Sequence, residues 1–397
     1  MSGQPPGSLR IAFIHPDLGL GGAERLVLDA ALALAARGHR VVLFTAELDS
    51  ARAFADVHDP ALDIRVRGKR IPKHVGQRLR VVCSIARMSA LSIAVRREGP
   101  FDAVFCDLVA HVLPLLKTLV DTPVLFYGHY PDRLLTPARE GLYRGYRVPF
   151  DWLEARGLEH TDRLVVNSEF TAVAFRRAFP ALANRDLPVV YPCVSLPETT
   201  SEPPHKPIRL LMIGRFSPAK NLSLLVRAGV ALAEHLPAET FAQVRFVIAG
   251  GYDPALEEAR AVESELRTIA DAAGLGDRLE LHRSPDEATK VQLLQDATCV
   301  VYTPTDEHLG IVPLEAMAAA RPVIAVDRGG PRETVLQGVS GVLCEPTPHA
   351  FARAIGELLQ RPQRAREMGL AGRAHVAKAF SRDTLGRHLE LLIRGLL

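Results

Sequence analysis

The chain has 397 residues, of which 48% are apolar and 23% charged, with a net charge of only +3. This length predicts two α/β domains of roughly 180 residues each, and the small net charge gives no support for nucleic-acid binding. No apolar run reaches about 20 residues, so we expect no transmembrane helix. Residues 1–8 are polar and lack the features of a signal peptide, so we expect a cytoplasmic protein. The five scattered cysteines indicate neither disulfides nor zinc.

Short β-branched runs alternate with longer helical patterns in the first half of the chain. This alternation is typical of a parallel sheet with helices on both faces. Strands are predicted at 10–15, 40–45, 103–106, 124–127, 164–167 and 189–191. We therefore expect residues 1–191 to form one doubly wound, Rossmann-like domain.

The turn after the first strand is rich in glycine. Gly19, Gly21 and Gly22 lead into a helix-forming run at 23–36. Bare backbone amides at a helix N-terminus favour an anionic diphosphate. The spacing is not the dinucleotide motif G-x-G-x-x-G, and a glycine turn after a strand is also ordinary in α/β folds. A structural turn and a phosphate site both stay open at this point.

A basic segment precedes an apolar helix predicted at 81–95. It contains Arg65, Arg67, Lys69, Arg70, Lys73, Arg78 and Arg80, with no acidic residue among them. Cations beside an apolar helix suit an anionic membrane surface or a lipid diphosphate. A solvated loop before a core helix is an equally good interpretation. Arg67, Lys69, Arg70 and Lys73 are therefore candidates for acceptor or membrane contact.

Residues 192–207 separate the two halves and predict an interdomain linker, because they are rich in Pro, Ser, Thr and Glu without periodicity. Further strands are predicted at 208–213, 244–249, 278–282, 299–302, 323–326 and 342–344. Residues 208–380 should thus form a second doubly wound domain, followed at 381–397 by a helix. Such sheets bind ligands beyond the C-terminal ends of their strands. The sequence therefore predicts an interdomain cleft that holds the site.

The loop after the first strand of the second half carries two cations, Arg215 and Lys220. At the rim of a cleft they would clamp a diphosphate leaving group and offset the charge that grows on it. A solvated basic loop is the alternative interpretation. The alternative is weakened because the corresponding turn of the first half, at Gly21 and Gly22, also suits an anion.

Two glutamates, Glu307 and Glu315, flank the end of a predicted strand and the start of a helix. Glu307 falls in the loop and Glu315 about one turn into the helix, so both can face one ligand. Carboxylates in these positions suit the hydroxyl groups of a sugar and a ribose. The spacing alone occurs by chance in many helical proteins.

These segments together resemble the E-x(7)-E retaining glycosyltransferases of family 4, which have the GT-B fold of two Rossmann-like domains. Within that family, longer strings resemble the dolichol-pathway, GDP-mannose-dependent α-1,3/1,6-mannosyltransferases of N-glycosylation. These strings are 15–19, 21–31, 129–132, 151–152, 166–168 and 310–317. The similarity extends over residues 10–360.

The resemblance implies a role for each matching residue. Gly21, Gly22, Arg215 and Lys220 would contact the donor diphosphate, and the segment Leu309, Gly310 and Ile311 would complete the donor site. Glu307 would contact the transferred hexose and Glu315 the ribose of the nucleotide. His129 matches a histidine beside the donor sugar and is expected to act in the transition state. The first domain would bind the acceptor, and the C-terminal helix would pack back on that domain.

The expected chemistry is metal-independent transfer with retention, in which the leaving diphosphate helps to deprotonate the acceptor hydroxyl. The chain contains no D-x-D motif to bring a divalent ion to the diphosphate, and no cofactor is expected beyond the donor GDP-mannose. The resemblance implies a lipid-diphosphate oligosaccharide acceptor, mannosyl-chitobiose, and a peripheral position on the cytoplasmic face of a membrane.

Two other functions stay open from the sequence. One is another family 4 transferase, with a phosphoinositide or polysaccharide acceptor. The other is a nucleotide-sugar epimerase with the same two-domain fold, which fold alone cannot separate from a transferase. The string 129–132 and the complete glutamate segment favour the transferase.

Overall fold

A computed structural model describes residues 7–49, 53–75, 79–135, 141–200, 202 and 206–397, with side chains omitted at 141–144. The chain divides into two compact units. One combines Met1–Cys193 with Arg382–Leu397, and the other is Val194–Ser381. No helix in the described part of the chain is both long and apolar enough to cross a lipid bilayer.

The first unit is built on a six-stranded parallel sheet of order β3-β2-β1-β4-β5-β6. Its strands are β1 (Arg10–His15), β2 (Arg40–Thr45), β3 (Asp63–Val66), β4 (Ala103–Asp107), β5 (Val124–Gly128) and β6 (Arg163–Val166). In register, Phe13 lies between Leu43 and Phe105. The central strands are buried on both faces, which explains their continuous apolar composition.

The edge strands of this sheet differ from the prediction. The predicted strand at 189–191 is wrong, because Val189 forms only an isolated bridge with Val166 and Pro188 and Pro192, which lack an N–H, flank it. The sixth strand is instead β3 at the opposite edge. Its sequence, Asp-Ile-Arg-Val, is half-buried and charged, so it gives no apolar run to detect.

Helices cover both faces of the first sheet. They are α1 (Gly22–Ala36), α2 (Arg80–Glu98), α3 (Leu113–Leu119), α4 (Asp132–Leu135), α5 (Gly141–His160) and α6 (Glu169–Ala178), with α15 (Arg382–Arg394) from the chain's end. Helix α15 packs on α1, where Leu385, Leu389 and Ile393 join the core. The buried Asp29 of α1 accepts hydrogen bonds from both Arg25 and Arg382, so charge as well as apolar burial fixes α15 in this unit.

The second unit repeats the architecture in a parallel sheet of order β12-β11-β10-β7-β8-β9. Its strands are β7 (Ile208–Ile213), β8 (Val244–Gly250), β9 (Leu279–Arg283), β10 (Cys299–Tyr302), β11 (Val323–Val326) and β12 (Gly341–Cys344). Its helices are α7 (Ser223–Leu232), α8 (Ala238–Ala242), α9 (Glu257–Ala272), α10 (Glu287–Asp296), α11 (Ile311–Ala318), α12 (Pro331–Thr334), α13 (Pro348–Leu359) and α14 (Pro362–Ala379). The prediction of two doubly wound α/β domains is confirmed, whereas the cleft between them stays a prediction.

Each sheet has one point where the strand order reverses. In the first unit this switch point lies between β1 and β4, and in the second between β7 and β10. The loops that follow adjacent strands diverge there and leave a crevice at the C-terminal edge. The candidate residues of each unit follow these strands or their neighbours.

Candidate active site

Lys220 and Glu307 form an ion pair in the second unit. Glu307 also accepts a hydrogen bond of 2.8 Å from the hydroxyl group of Tyr302, the last residue of β10. Burial alone would raise the pKa of Glu307, but the charge and hydrogen bond of Lys220, with the bond from Tyr302, hold that pKa below its ordinary value. Glu307 is therefore an ionised carboxylate that its neighbours hold in place.

The loop that carries Lys220 is anchored to the end of β10. Thr303, which is fully buried, donates its hydroxyl hydrogen bond to the carbonyl oxygens of Lys220 and Asn221, both at 2.9 Å. Asn221 adopts a left-handed conformation with φ 46°, which asparagine tolerates better than most residues, and α7 begins two residues later. The loops after β7 and β10 thus form one structure at the switch point.

Glu315 lies in the second turn of α11 and pairs with Lys290 of α10. The Nζ atom of Lys290 lies 2.6 Å from Oε1 of Glu315, whereas the buried Oε2 atom has no hydrogen-bond partner among the described residues. Burial raises the pKa of Glu315 despite the charge of Lys290. Burial and the charges of Glu307 and Glu315 also raise the pKa of Tyr302.

Two glycines form the back wall of the Glu307 loop. The N–H of Gly330 donates a hydrogen bond of 2.9 Å to the carbonyl oxygen of Glu307, and a Cβ atom on Gly330 would lie 2.2 Å from Cα of Leu309. Gly329 has φ +60°, and its Cβ would lie 2.5 Å from the carbonyl oxygen of Glu307. Only glycine lets these two backbone segments approach so closely.

The remaining donor-site residues of the second unit surround the start of α11. Gly310 precedes the helix with φ +80°, so the chain turns sharply into it. The Leu309 side chain is buried, whereas Ile311 is exposed, so only the backbone of Leu309 is available to a ligand. Arg215 is exposed and pairs with no carboxylate of the described chain. The N–H groups of the first turn of α11 and this cation are both suited to a phosphate.

In the first unit, Gly21 and Gly22 form the start of α1, with Gly21 as its N-cap. A Cβ atom on Gly21 would collide with the carboxylate of Glu24, whereas a Cβ on Gly22 would meet nothing within 4 Å. No described atom of this unit therefore requires glycine at position 22 for steric reasons.

His129 follows β5 and contacts a buried carboxylate. Its Nε2 atom lies 2.9 Å from Oδ2 of Asp107, the last residue of β4, and the other oxygen, Oδ1, lies 2.7 Å from Nδ1 of His15 at the end of β1. His15 and Asp107 are fully buried, whereas the His129 side chain is 21% exposed. One imidazole thus reaches the surface of a buried three-residue cluster.

The basic segment is less cationic than its sequence indicates. Arg67 forms an ion pair with Glu98 at 2.9 Å, and Lys73 pairs with Asp17 at 3.0 Å and Glu47 at 3.3 Å. These carboxylates come from other parts of the chain, so inspection of the segment alone could not reveal them. Lys69 and Arg70 are exposed and have no ion pair within the described ranges.

One group of residues in the first unit could hold a cation. Ligand atoms of His111, Asp132 and Glu154 lie within 4.8 Å of one another, and neither ring nitrogen of His111 has a partner among the described residues. The guanidinium of Arg147 already contacts Asp132 at 2.5 Å, and Glu154 accepts a 2.8 Å hydrogen bond from the N–H of Asp132. A metal ion would compete with a permanent cation there, so we assign it no role.

Glu154 gives a testable dependence of stability on pH. Burial raises its pKa to about 7 from the ordinary 4.5, so between these values the folded state binds more protons than the unfolded state and the free energy of unfolding falls as pH rises. Glutamine at this position does not titrate. From pH 5 to pH 8 the free energy of unfolding of Glu154→Gln should therefore rise by about 2 kcal/mol relative to that of wild type. Urea unfolding measures this, with Glu159→Gln on the same helix as a control. If the free energies of unfolding of Glu154→Gln and wild type differ by the same amount at pH 5 and at pH 8, the raised pKa of Glu154 is contradicted.

Sequence reasoning missed residues that the structure places against candidate residues of the same unit. Tyr302 and Asp107 end strands at the two switch points, and this position was a usable signal. Gly330 lies in a glycine pair before a short helix, a weaker signal. Lys290 lies on a separate helix and is related to Glu315 only by the fold.

Comparisons with known proteins agree with this architecture. The family model "Glycosyltransferase Family 4" matches residues 20–197, and "Glycosyl transferases group 1" matches residues 198–375. The chain is 40% identical to the alpha-1,3/1,6-mannosyltransferase ALG2 of Homo sapiens over 98% of this chain and 96% of the relative. It is 34% identical to ALG2 of Dictyostelium discoideum over 98% of both chains.

Solved structures show the same fold at low sequence identity. Sucrose-phosphate synthase of Thermosynechococcus elongatus has a TM-score of 0.76 at 21% identity and covers 98% of this chain and 99% of its own. Anabaena Alr3699/HepE in complex with UDP has a TM-score of 0.73 at 18% identity, with 98% and 100% coverage. The fold is that of the GT-B glycosyltransferases, which confirms the expected fold class.

Proposed function

The chain belongs to the α-1,3/1,6-mannosyltransferase family of glycosyltransferases, and on that premise we propose that it transfers mannose from GDP-mannose, with retention, to a lipid-diphosphate-linked oligosaccharide. The acceptor we propose is the mannosyl-chitobiose of the dolichol pathway. This protein would add one mannose in α-1,3 linkage and would also catalyse an α-1,6 addition.

The unpaired Oε2 atom of Glu315 is the observation that best supports a nucleotide-sugar donor. Among the buried side-chain atoms of the described residues that lack a partner, it is the one carboxylate oxygen. A buried acceptor without a donor is costly, and a ribose hydroxyl would supply the missing hydrogen. Lys290 holds the other oxygen of this carboxylate, so Glu315 is oriented before the donor arrives.

The diphosphate would be held by cations and backbone N–H groups. Among the described residues, Arg215 has no carboxylate partner and Lys220 pairs with Glu307 alone. When the donor binds, Lys220 would exchange Glu307 for the diphosphate, while Glu307 would turn to the mannose hydroxyls. Positive charge beside the leaving diphosphate stabilises the transition state as the glycosidic bond breaks. On the same face, the departing phosphate oxygen would take the proton of the acceptor hydroxyl.

His129 would contribute a hydrogen bond beside the reacting sugar. Its Nε2 atom is held by Asp107, so Nδ1 is the ring nitrogen that remains for the substrate. An imidazole at this position would orient the mannose or stabilise developing charge, because such groups act most strongly where water is excluded.

The glycine at position 22 provides a test of backbone approach. Because no described atom lies within 4 Å of the position of its Cβ, Gly22→Ala should leave stability unchanged. If a diphosphate contacts this backbone, the methyl group should raise KM for GDP-mannose about tenfold. Steady-state kinetics measure the effect, with Gly145→Ala, another glycine whose Cβ meets nothing, as the control. Equal KM values for both variants would remove Gly22 from the donor site.

The acceptor lipid requires contact with a membrane surface, and Lys69 and Arg70 are the proposed contacts. Reversing both charges, with Lys69→Glu and Arg70→Glu together, should lower binding to vesicles of phosphatidylserine and phosphatidylcholine about tenfold. Flotation at low and high salt measures binding, with the exposed Arg353→Glu and Arg361→Glu pair of the second unit as control. Unchanged flotation of the Lys69 and Arg70 variant would exclude this surface.

Donor choice and stereochemistry test the proposed reaction. The purified chain should transfer from GDP-mannose in preference to UDP-glucose without added metal, and an α-mannosidase should remove the added sugar. Preference for a UDP-sugar, or a product resistant to α-mannosidase and cleaved by a β-mannosidase, would contradict the proposal.

A further inference from the structure

We propose that Asp107 and His15 are positioning residues for His129. The buried Asp107 carboxylate, held on its other side by His15, would fix His129 in the tautomer that carries its hydrogen on Nε2 and leave Nδ1 as the nitrogen that meets the substrate. The contribution of this geometry to transfer rests on the proposed function, whereas the tautomer itself does not.

His15 and Asp107 end the strands β1 and β4, and His129 directly follows the neighbouring strand β5. The sheet order β1-β4-β5 places His15, Asp107 and His129 side by side at the C-terminal edge. Oδ1 of Asp107 lies 2.7 Å from Nδ1 of His15, and Oδ2 lies 2.9 Å from Nε2 of His129. Both carboxylate oxygens are therefore committed, one to each imidazole.

The protonation state of Asp107 decides which ring nitrogens carry hydrogen. Burial alone would raise its pKa, but the charge of His15 and hydrogen bonds from both histidines hold that pKa below its ordinary value. An ionised carboxylate only accepts hydrogen bonds, so Nδ1 of His15 and Nε2 of His129 must both be donors. When His129 is neutral, its lone pair is then on Nδ1.

The surroundings hold the rest of His129. The Tyr127 ring packs against the imidazole with centroids 5.1 Å apart, and the side-chain amide of Asn167 donates to the carbonyl oxygen of His129 at 3.2 Å. Burial raises the pKa of both Tyr127 and Cys106, with a further contribution from the Asp107 charge. Both groups therefore keep their own protons near neutral pH and do not ionise beside Asp107. The edge that carries Nδ1 is thus the part left to a ligand.

The buried histidine is the costly part of the arrangement. His15 is fully buried and its Nε2 atom has no partner in the described part of the chain. A strand residue with an unsatisfied polar atom reduces stability, and an apolar residue would fit the core better. We infer that His15 is present because it fixes the carboxylate plane of Asp107, and through it the orientation of His129.

The tautomer can be read without any substrate. In protein labelled with ¹⁵N-histidine, long-range ¹H–¹⁵N spectra should show His129 with its hydrogen on Nε2, and a His129→Gln spectrum assigns the signals. Asp107→Asn offers the two imidazoles one acceptor oxygen and one NH2 donor, so either His129 or His15 should move its hydrogen to its other ring nitrogen. A wild-type His129 with its hydrogen on Nδ1 would overturn the proposal even if no variant folds.

Kinetics test the link to transfer. We expect Asp107→Asn to lower kcat about 10²- to 10⁴-fold, with KM for GDP-mannose changed less than about threefold. His15→Asn, which keeps a donor near Nδ1, should retain more kcat than His15→Ala. Asp102→Asn, at the other end of β4 and bonded to the N–H of Arg10, is the control. If the His129 tautomer shifts while kcat is unchanged, or if both His15 variants lose the same amount of kcat, the positioning role is rejected. If the wild type has the expected tautomer but no transfer activity, the proposed function is rejected instead.

Discussion

Replacing Glu307 with glutamine is expected to lower mannosyl transfer about 10²- to 10³-fold while the protein stays folded. The glutamine keeps the shape of the side chain but loses the charge that Lys220 and Tyr302 stabilise. Lys220→Ala should have an effect of the same order, because it removes the cation proposed to meet the diphosphate. Initial rates with GDP-mannose and a lipid-linked acceptor measure both.

A matched ion pair serves as the control for this prediction. Glu265 and Arg227 form an exposed pair at 3.2 Å in the same unit, and such pairs contribute less than about 1 kcal/mol. Glu265→Gln and Arg227→Ala should leave transfer within about twofold of wild type. Near-normal turnover by Glu307→Gln or Lys220→Ala, with unfolding curves like those of the controls, would remove the pair from the reaction.

Replacing Gly330 with alanine should abolish most activity without touching a proposed ligand contact. A Cβ atom there would lie 2.2 to 2.3 Å from the backbone of Leu309, so the loop from Glu307 to Leu309 must move. A displacement of about 1 Å in a positioning group costs on the order of 10²-fold in rate, and such overpacking costs about 1–3 kcal/mol in stability. Kinetics combined with urea unfolding measure both effects.

The control for Gly330 is an alanine in an ordinary position. Gly395→Ala would place its Cβ 3.4 Å from the nearest atom, which is normal contact, and should change neither rate nor stability. If Gly330→Ala retains full kcat and KM, the Glu307 loop does not need its present position, and the proposed contact between Glu307 and the hexose loses its structural basis.

Sequence patterns located most of the fold because buried parallel strands have a distinctive composition. Eleven of the twelve strands in the described part of the chain coincide with predicted ones, and most of them are apolar, as β1 and β10 are. Strand β3 was not predicted because its sequence, Asp-Ile-Arg-Val, lies at the sheet edge and contains no apolar run. The strand predicted at 189–191 does not form because the two flanking prolines prevent this apolar triplet from forming further ladder hydrogen bonds.

For the candidate site residues too, the sequence predicts those that belong to local motifs but not the partners that lie far away in the chain. Motif residues such as Glu307, Glu315 and Lys220 belong to recognisable strings, so the sequence predicted them. The residues that pair with one another across the fold have no such local signal. Lys290 is 25 residues from Glu315, and Asp107 is 92 residues from His15. Pairing of this kind depends on which strand ends become neighbours, and only the sheet order establishes it.

The most direct test of the proposed function is the mass of the lipid product. The purified chain is incubated with GDP-mannose and a synthetic polyprenyl diphosphate that carries mannosyl-chitobiose, without added metal, and the lipid is analysed by mass spectrometry. We predict a gain of one or two hexoses, with Glu307→Gln giving neither. An unchanged acceptor mass from folded protein would contradict the proposed transfer.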